Sequence, residues 1–389
     1  MAKSINKRKI CFPIMSRVHY ARQKYLLSLL NKHPNIDLQL VVGGSVLLDK
    51  YGERFIPAMK KEGLNINETI TNVIDGGNHV AMAKTAGLTA LEFANSLHKL
   101  DPDIVLIRGD RFEQLAMAMT AAYMNKTIAH IEGGDVTGTI DESVRHAITK
   151  LAHVHFVTNE DAKKRVIKMG EDPNMVFNVG SPDIEFVSML DSKVGNGIDS
   201  NIGVGYNLDF KKPYLVIMQH PVTTEKNNGK NMEILLKAID DLNMQAVWFW
   251  PNSDAGTKDM AKAIRSYREN GKLKNNKIRF VTDILPENFI KLVEQSAAFV
   301  GNSSAGIKEC SYLGTPFVNI GTRQDGRLRA ENVFDVDYNG PAIKRVIKRQ
   351  VSHGKYKASD LYYKKDTSKK ILDILNSVRL HSQKKFHEA

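Results

Sequence analysis

The chain has 389 residues, 42% hydrophobic and 25% charged, the balance of a soluble globular protein with room for two domains of ordinary size. The formal net charge is +12, but the basic residues are scattered, with local excess only among Lys364, Lys365, Lys369, Lys370, Lys384 and Lys385. Without a basic patch interleaved with aromatics a nucleic-acid partner is not expected, whereas an anionic small substrate is served equally well by positive potential. No apolar run reaches the ~18 residues of a membrane span, and the stretch Ile10–Met15 after the basic Lys7–Lys9 is too short for a signal core and is broken by Pro13, so a cytoplasmic protein without a membrane partner is expected.

In chain order, short β-branched runs alternate with helical patterns. The first half offers strands at 9–15, 36–42, 68–74, 103–108, 127–132, 153–158 and 176–180, separated by helices at 20–32, 80–100, 112–124, 142–151 and 160–169. Within 80–100, Ala83, Ala86, Leu88, Leu91, Ala94 and Leu97 keep one face apolar. Such alternation predicts parallel strands with crossover helices, a doubly wound α/β sheet. Residues 191–205, with Gly195, Gly197, Gly203 and Gly205, read as a linker. Strands then resume near 213–219, 245–250, 278–282, 298–301 and 316–320. The expectation is two Rossmann-like parallel-sheet domains, over 1–190 and 206–365, with a helical stretch from about 341 to 380 whose end, 366–389, could pack back on the first domain. A cleft between them at the carboxyl ends of the strands is where open α/β sheets bind ligands.

The chemistry-bearing residues follow those strand ends. Asp110 and Arg111 follow the fourth strand; Glu132, then Gly133 and Gly134, ends the fifth; Asp141 and Glu142 open a helix that presents Arg145 and His146. Asp141 reads as a helix N-cap, and Glu142 as a first-turn acid favoured by the helix dipole. Several carboxylates converging on one cleft suggest proton transfer or stabilisation of a cationic transition state. In the second half, strands end at Gln219-His220-Pro221, at Pro251-Asn252-Ser253-Asp254 and at Asn302-Ser303-Ser304-Ala305-Gly306, with Glu309 one turn into the following helix. Hydroxyls and free N–H groups at a helix N-terminus form an anion site, and a glutamate beyond them can accept hydrogen bonds from a ribose diol. Arg323 and Arg327 sit in a charged loop, and Arg17 follows the first strand. There is no P-loop, no full dinucleotide fingerprint and no zinc-ligand spacing, and the isolated Cys11 and Cys310 make neither a disulfide framework nor a metal cluster.

These segments resemble the hydrolysing UDP-N-acetylglucosamine 2-epimerases of sialic and legionaminic acid pathways. The resemblance covers most of the chain and is densest at Arg108-Gly-Asp-Arg-Phe-Glu113, His130-Ile-Glu-Gly-Gly-Asp135, Gly138-Thr-Ile-Asp-Glu-Ser-Val-Arg-His146, Trp250-Pro-Asn-Ser-Asp-Ala-Gly256, Gly301-Asn-Ser-Ser-Ala-Gly306 and Gly321-Thr-Arg-Gln-Asp-Gly-Arg327. It implies a glycosyltransferase-B type fold, a homodimer or homotetramer, and a reaction without cofactor or metal. UDP is eliminated to leave a 2-acetamidoglucal, and water then adds with inversion at C2. By match to the family's motifs, Asp110, Glu132 and Glu142 form the acidic catalytic set and His220 assists departure of the diphosphate. The same match makes Arg17, Arg111 and Arg145 positive partners, Ser303 and Ser304 phosphate contacts, and Glu309 the ribose contact. Asn252 and Arg323 are further nucleotide contacts, and the backbone around Ile284 brackets uracil.

The sequence departs from the family pattern in three places. Ala21 follows Tyr20 where relatives often carry a small polar residue, so one hydroxyl contact is expected to be missing. Arg108 stands where relatives commonly carry His or an apolar residue. Gly43-Gly-Ser-Val-Leu47 replaces the Gln-His pair of the non-hydrolysing branch. The rival expectations are the same reaction on a UDP-linked 2,4-diacetamido-trideoxy sugar, a glycosyltransferase, and a nucleotide-sugar sensor.

Overall fold

The computed structural model describes residues 7–191, 193, 195–198, 202–380 and 383–388, so parts of the expected linker and tail lie outside the described residues. Seven strands, β1 (Arg8–Ile14), β2 (Ile36–Val42), β3 (Ile66–Thr69), β4 (Ile104–Arg108), β5 (Thr127–Ile131), β6 (Val154–Val157) and β7 (Val176–Asn178), build one parallel sheet in the order β3-β2-β1-β4-β5-β6-β7. A second sheet runs β14-β13-β12-β9-β10-β11-β8, from β8 (Val204–Gly205), β9 (Tyr214–Met218), β10 (Gln245–Phe249), β11 (Ile278–Val281), β12 (Ala298–Gly301), β13 (Phe317–Ile320) and β14 (Val333–Val336). All its pairings are parallel except β8 on β11. The central strands β4 and β10 are buried at every residue and apolar apart from Arg108 and Gln245, because helices cover both faces. The molecule is therefore two parallel-sheet α/β domains of the glycosyltransferase-B type.

Each sheet reverses its strand order once, between β1 and β4 and between β9 and β12. Crevices open at such points because successive crossovers leave on opposite sides. In the first sheet the opening is widened: β1 pairs with β4 only through Ile10 and Cys11, before Pro13 removes a donor. In the second, the strand ends are drawn together instead. Gly301 has φ +135°, and a side chain there would collide with the Met218 carbonyl. Asn302 then accepts from the His220 N–H at 2.7 Å and donates to its carbonyl at 2.9 Å, fixing the ends of β9 and β12 side by side.

Four sequence expectations are corrected. The stretch 20–32 is two helices, Arg17–Ala21 and Lys24–Lys32, with Arg22 and Gln23 between them. Strand 68–74 lies instead at Ile66–Thr69. Gly203 and Gly205, read as linker, flank and form the antiparallel edge strand β8, where their side-chain-free backbone packs on the Phe280 and Ile278 carbonyls. The expected helical stretch from 341 to 380 is two helices, Gly340–His353 and Thr367–Ser377, parted at Gly354, whose φ of +74° ends the first.

The last helix leaves the second sheet and packs on Lys24–Lys32 of the first domain, burying Ile371 and Leu375 completely in the same core as Leu27 and Leu30. Leu375→Ala should lower the stability of the first domain by about 2–4 kcal/mol, the usual cost of a large-to-small change with a cavity left behind; denaturant unfolding followed by a first-domain probe checks this.

Candidate active site

The turn after β4 carries Asp110 behind Gly109, whose φ is +80°. Buried His130 of β5 fixes that turn by donating its Nε2–H to the Gly109 carbonyl at 2.9 Å, while its Nδ1 accepts from Thr149 at 3.1 Å. Burial lowers the imidazole to about 4, so it stays neutral, as this bonding requires. Arg145, itself buried, grips Asp110 with its Nε at 3.0 Å and with Nη2. Burial would raise the Asp110 carboxyl, but Arg145 and Arg327 outweigh it and hold the group far below the usual carboxylate range.

Glu132 ends β5 with φ +70°, a left-handed conformation that costs a glutamate of order 1–3 kcal/mol and is kept up by its partners. Arg108 lies at 2.9 Å and Lys308 of the second domain at 2.8 Å. Ser181, the N-cap residue of helix Pro182–Ser188, donates its hydroxyl to Glu132 at 3.0 Å rather than capping its own helix. Burial works against the charge, but Arg108 and Lys308 prevail and Glu132 stays ionised well below its ordinary value.

The second domain supplies the facing wall. His220 follows β9, and its Nδ1 accepts from the Asn252 backbone N–H at 3.2 Å. Burial, with Arg323 next in weight, lowers His220 to about 3, so the ring is neutral and its proton sits on Nε2. Ser303 caps the short helix Ser304–Ile307, and Glu309 begins the next. Glu309 is ion-paired with Arg22 at 2.5 Å, yet its carboxylate accepts no directed hydrogen bond among the described residues. Across the cleft, Arg17 pairs with Asp283, Arg111 bridges Glu113 at 3.0 Å and Asp254 at 3.4 Å, and Arg323 approaches Asp141 at 3.7 Å. Buried Arg327 has Nε and Nη1 without a hydrogen-bond partner among the described residues.

One cavity of about 310 Å³ is lined by Asp110, Glu132, Arg17 and Arg111 from the first domain and by His220, Asn252, Ile284, Ser303, Ser304, Glu309 and Arg323 from the second. Glu142 and Arg145 do not line it. Arg145 acts one step back, on Asp110. Asp141 does not line it either, and for Glu142 the expectation of a place in the cavity is corrected, because its side chain serves the helix start. The helix is Ile140–Leu151 with Thr139 as N-cap. Glu142 turns back to accept the Thr137 N–H at 2.5 Å, a helix-start task, whereas Asp141 faces Arg323 of the other domain. Partial burial and the Asp110 carboxylate raise the Asp141 carboxyl. Neighbours on a helix point about 100° apart, so Glu142 serves the backbone while Asp141 points toward Arg323, which lines the cavity.

Sequence reasoning missed a buried ring of charge. Lys308 contacts Glu132, Glu132 contacts Arg108, Arg108 contacts Asp183 at 2.6 Å, Asp183 contacts Arg22 at 3.0 Å, and Arg22 contacts Glu309, the chain neighbour of Lys308. Each of these residues lines the cavity. Asp183 carried a usable signal, since it follows β7 at a Ser-Pro helix start; Arg22 and Lys308 carried none, each reading as a solvated charge. Among the described residues no group of three or more His, Cys, Asp and Glu side chains could hold a metal ion.

Comparison with known proteins places the chain in a family. The family model described as UDP-N-acetylglucosamine 2-epimerase matches residues 28–376. The hydrolysing UDP-N,N'-diacetylbacillosamine 2-epimerase of Legionella pneumophila is 32% identical over 97% of both chains. The UDP-N-acetylglucosamine 2-epimerase of Neisseria meningitidis serogroup B is 30% identical over 98% of both. Among solved structures, the Neisseria meningitidis UDP-GlcNAc 2-epimerase bound to UDP-GlcNAc superposes with a TM-score of 0.73 at 16% identity, covering 94% of this chain and 99% of that one. The Methanocaldococcus jannaschii enzyme in complex with UDP-GlcNAc and UDP also has a TM-score of 0.73, at 17% identity, covering 95% of this chain and 99% of that one.

Nitrogen-15 NMR of the ligand-free protein should find His220 neutral with its proton on Nε2 from pH 8 to pH 5, taking up a second proton only as the pH falls toward about 3. The unfolded chain protonates this ring first, below about 6.5, so the group costs stability as the solution is acidified from there.

Proposed function

The chain belongs to the UDP-N-acetylglucosamine 2-epimerase family, and from that premise we propose that it is a hydrolysing 2-epimerase, converting UDP-N-acetylglucosamine and water to N-acetylmannosamine and UDP. The observation that carries the reading is the single cavity with Asp110 and Glu132 on one wall and His220 and Ser303 on the other. In the first step the C2 proton and UDP leave from opposite faces, giving a 2-acetamidoglucal; in the second, water adds across the double bond with the C2 configuration inverted. A hexose C2 proton is a poor acid, so the diphosphate departs early and a cation develops at the anomeric carbon. Asp110 and Glu132, held ionised, suit stabilisation of that charge in a closed site. Asp141, whose carboxyl is raised, suits proton transfer. Neutral His220 offers its Nε2–H to the departing diphosphate, with Arg17, Arg111 and Arg323 as counter-charges. Ser303 and Ser304 take phosphate oxygens, Glu309 the ribose diol, and Asn252 and the backbone at Ile284 the rest of the nucleotide.

A second reading keeps the chemistry and changes the sugar to UDP-2,4-diacetamido-2,4,6-trideoxyglucose. It is favoured by the 32% identity to the Legionella pneumophila enzyme.

In heavy water, UDP-N-acetylglucosamine should yield UDP and N-acetylmannosamine carrying deuterium at C2. Unlabelled product, or turnover only on adding an acceptor sugar, would point to glycosyl transfer, and faster turnover of the diacetamido sugar would select the second reading. Asp141→Asn should lower kcat by about 100-fold or more, in the range for loss of a general acid or base, whereas Glu142→Gln should keep kcat within about threefold and cost about 1 kcal/mol of stability. Steady-state UDP release and thermal unfolding check the pair.

A further inference from the structure

We propose that Lys308 is a positioning residue for the reaction proposed above: a cation carried by the nucleotide-binding segment that reaches into the first domain and holds Glu132 in its ionised pose. The geometry carries this. Lys308 lies between the short helices Ser304–Ile307 and Glu309–Leu313, in the same stretch as the residues proposed to hold phosphate and ribose. Its backbone is tied to that stretch, the N–H donating to the Ser304 carbonyl at 2.9 Å. Its side chain leaves the second domain, crosses over the Tyr362 ring at 5.7 Å, and ends 2.8 Å from Glu132 and 3.6 Å from Asp135 in the first domain. The ammonium is nearly sealed from solvent, its side chain 4% exposed, so water screens its contact with Glu132 little.

The neighbour, Glu309, reaches the first domain through Arg22, and the ring Arg22–Asp183–Arg108 returns to Glu132. The segment that carries Ser303, Ser304 and Glu309 therefore holds both ends of a chain of charges that closes on Glu132. An isolated buried cation would be costly; here each cation is flanked by acids, and Lys308 answers the excess that Glu132 and Asp135 would otherwise leave. The groups facing Glu132 from all sides are Arg108, Lys308, Arg327 and Arg22 among the cations, Asp183 and Asp135 among the acids, and neutral His19 and Tyr362. Removing Lys308 takes one of the two nearest positive charges away, so Glu132 should accept a proton at higher pH.

The test compares the wild type with Lys308→Met and Lys308→Arg in the full chain, each saturated with UDP. Calorimetry measures UDP affinity, and carbon-13 NMR follows the Glu132 carboxyl, assigned by its loss in Glu132→Gln. Lys308→Met should bind UDP within about threefold of wild type, titrate Glu132 at higher pH, lose about tenfold or more in kcat, and move the acid limb of the kcat profile upward; Lys308→Arg should restore both titration and limb. A Lys308→Met protein with wild-type Glu132 titration, or with wild-type kcat, would overturn the proposal. Should that variant fail to fold, Lys308→Gln, which keeps a donor without the charge, decides by the same titration. A wild type that releases no UDP from either sugar would sink the epimerase reading while the NMR comparison still judged Lys308, so the two failures are distinguishable.

Discussion

Three cations and three carboxylates, alternating around the back of one cleft, hold the two halves of this protein in register. Lys308, Glu132, Arg108, Asp183, Arg22 and Glu309 are all shielded from bulk solvent, and the ring is neutral as a whole. Deleting any one member would leave an uncompensated buried charge, which typically costs 3–5 kcal/mol. Such a ring contributes little to net stability compared with an apolar core, but it is selective: its distances are met only in one relative placement of the sheets. The strand-order reversals put the right backbone ends opposite each other, and the charges decide how closely they meet.

The same arrangement sorts the titratable groups into distinct states. Asp110 and Glu132 are each pinned by arginine or lysine and stay ionised. His220, surrounded by Arg323, Arg17 and Arg111, stays neutral and presents a single N–H. Asp141, partly buried and close to Asp110, and Asp183, buried and close to Glu132, are carboxyls that hold a proton more readily. A site that separates its groups in this way can stabilise charge, move a proton and receive an anion without any of them changing identity between tasks. Glu132 adds a conformational cost to its role, since a left-handed backbone at a non-glycine position persists only where surrounding bonds over-determine it.

Much of the fold was legible because parallel strands buried on both faces read as short apolar runs. β2, β4, β5 and β10 fall within a residue or two of expectation. The failures share a cause. β8 and β14 are short, partly exposed edge strands, defined by a neighbour's unpaired backbone rather than by their own side chains. The break at Arg22 and Gln23 lies inside a helical pattern; there Arg22 reaches Asp183 and Glu309, and Gln23 also hydrogen-bonds Asp183.

Of the cleft, the residues directly following strands could be read from the chain, because a carboxyl strand end in an open sheet points into the crevice whatever the partner domain does. That holds for Asp110, Glu132, His220, Asn252 and Ser303. Which of two adjacent acids turns toward Arg323 of the other domain could not be read, since it turns on the phase of the helix relative to its cap: Thr139 starts that helix, and so Asp141 rather than Glu142 faces Arg323. Lys308 and Arg22 were decided by tertiary structure alone. A charge becomes a site component only when burial removes water as its partner, and burial here is created where the two domains meet at Glu132 and Lys308, 176 positions apart.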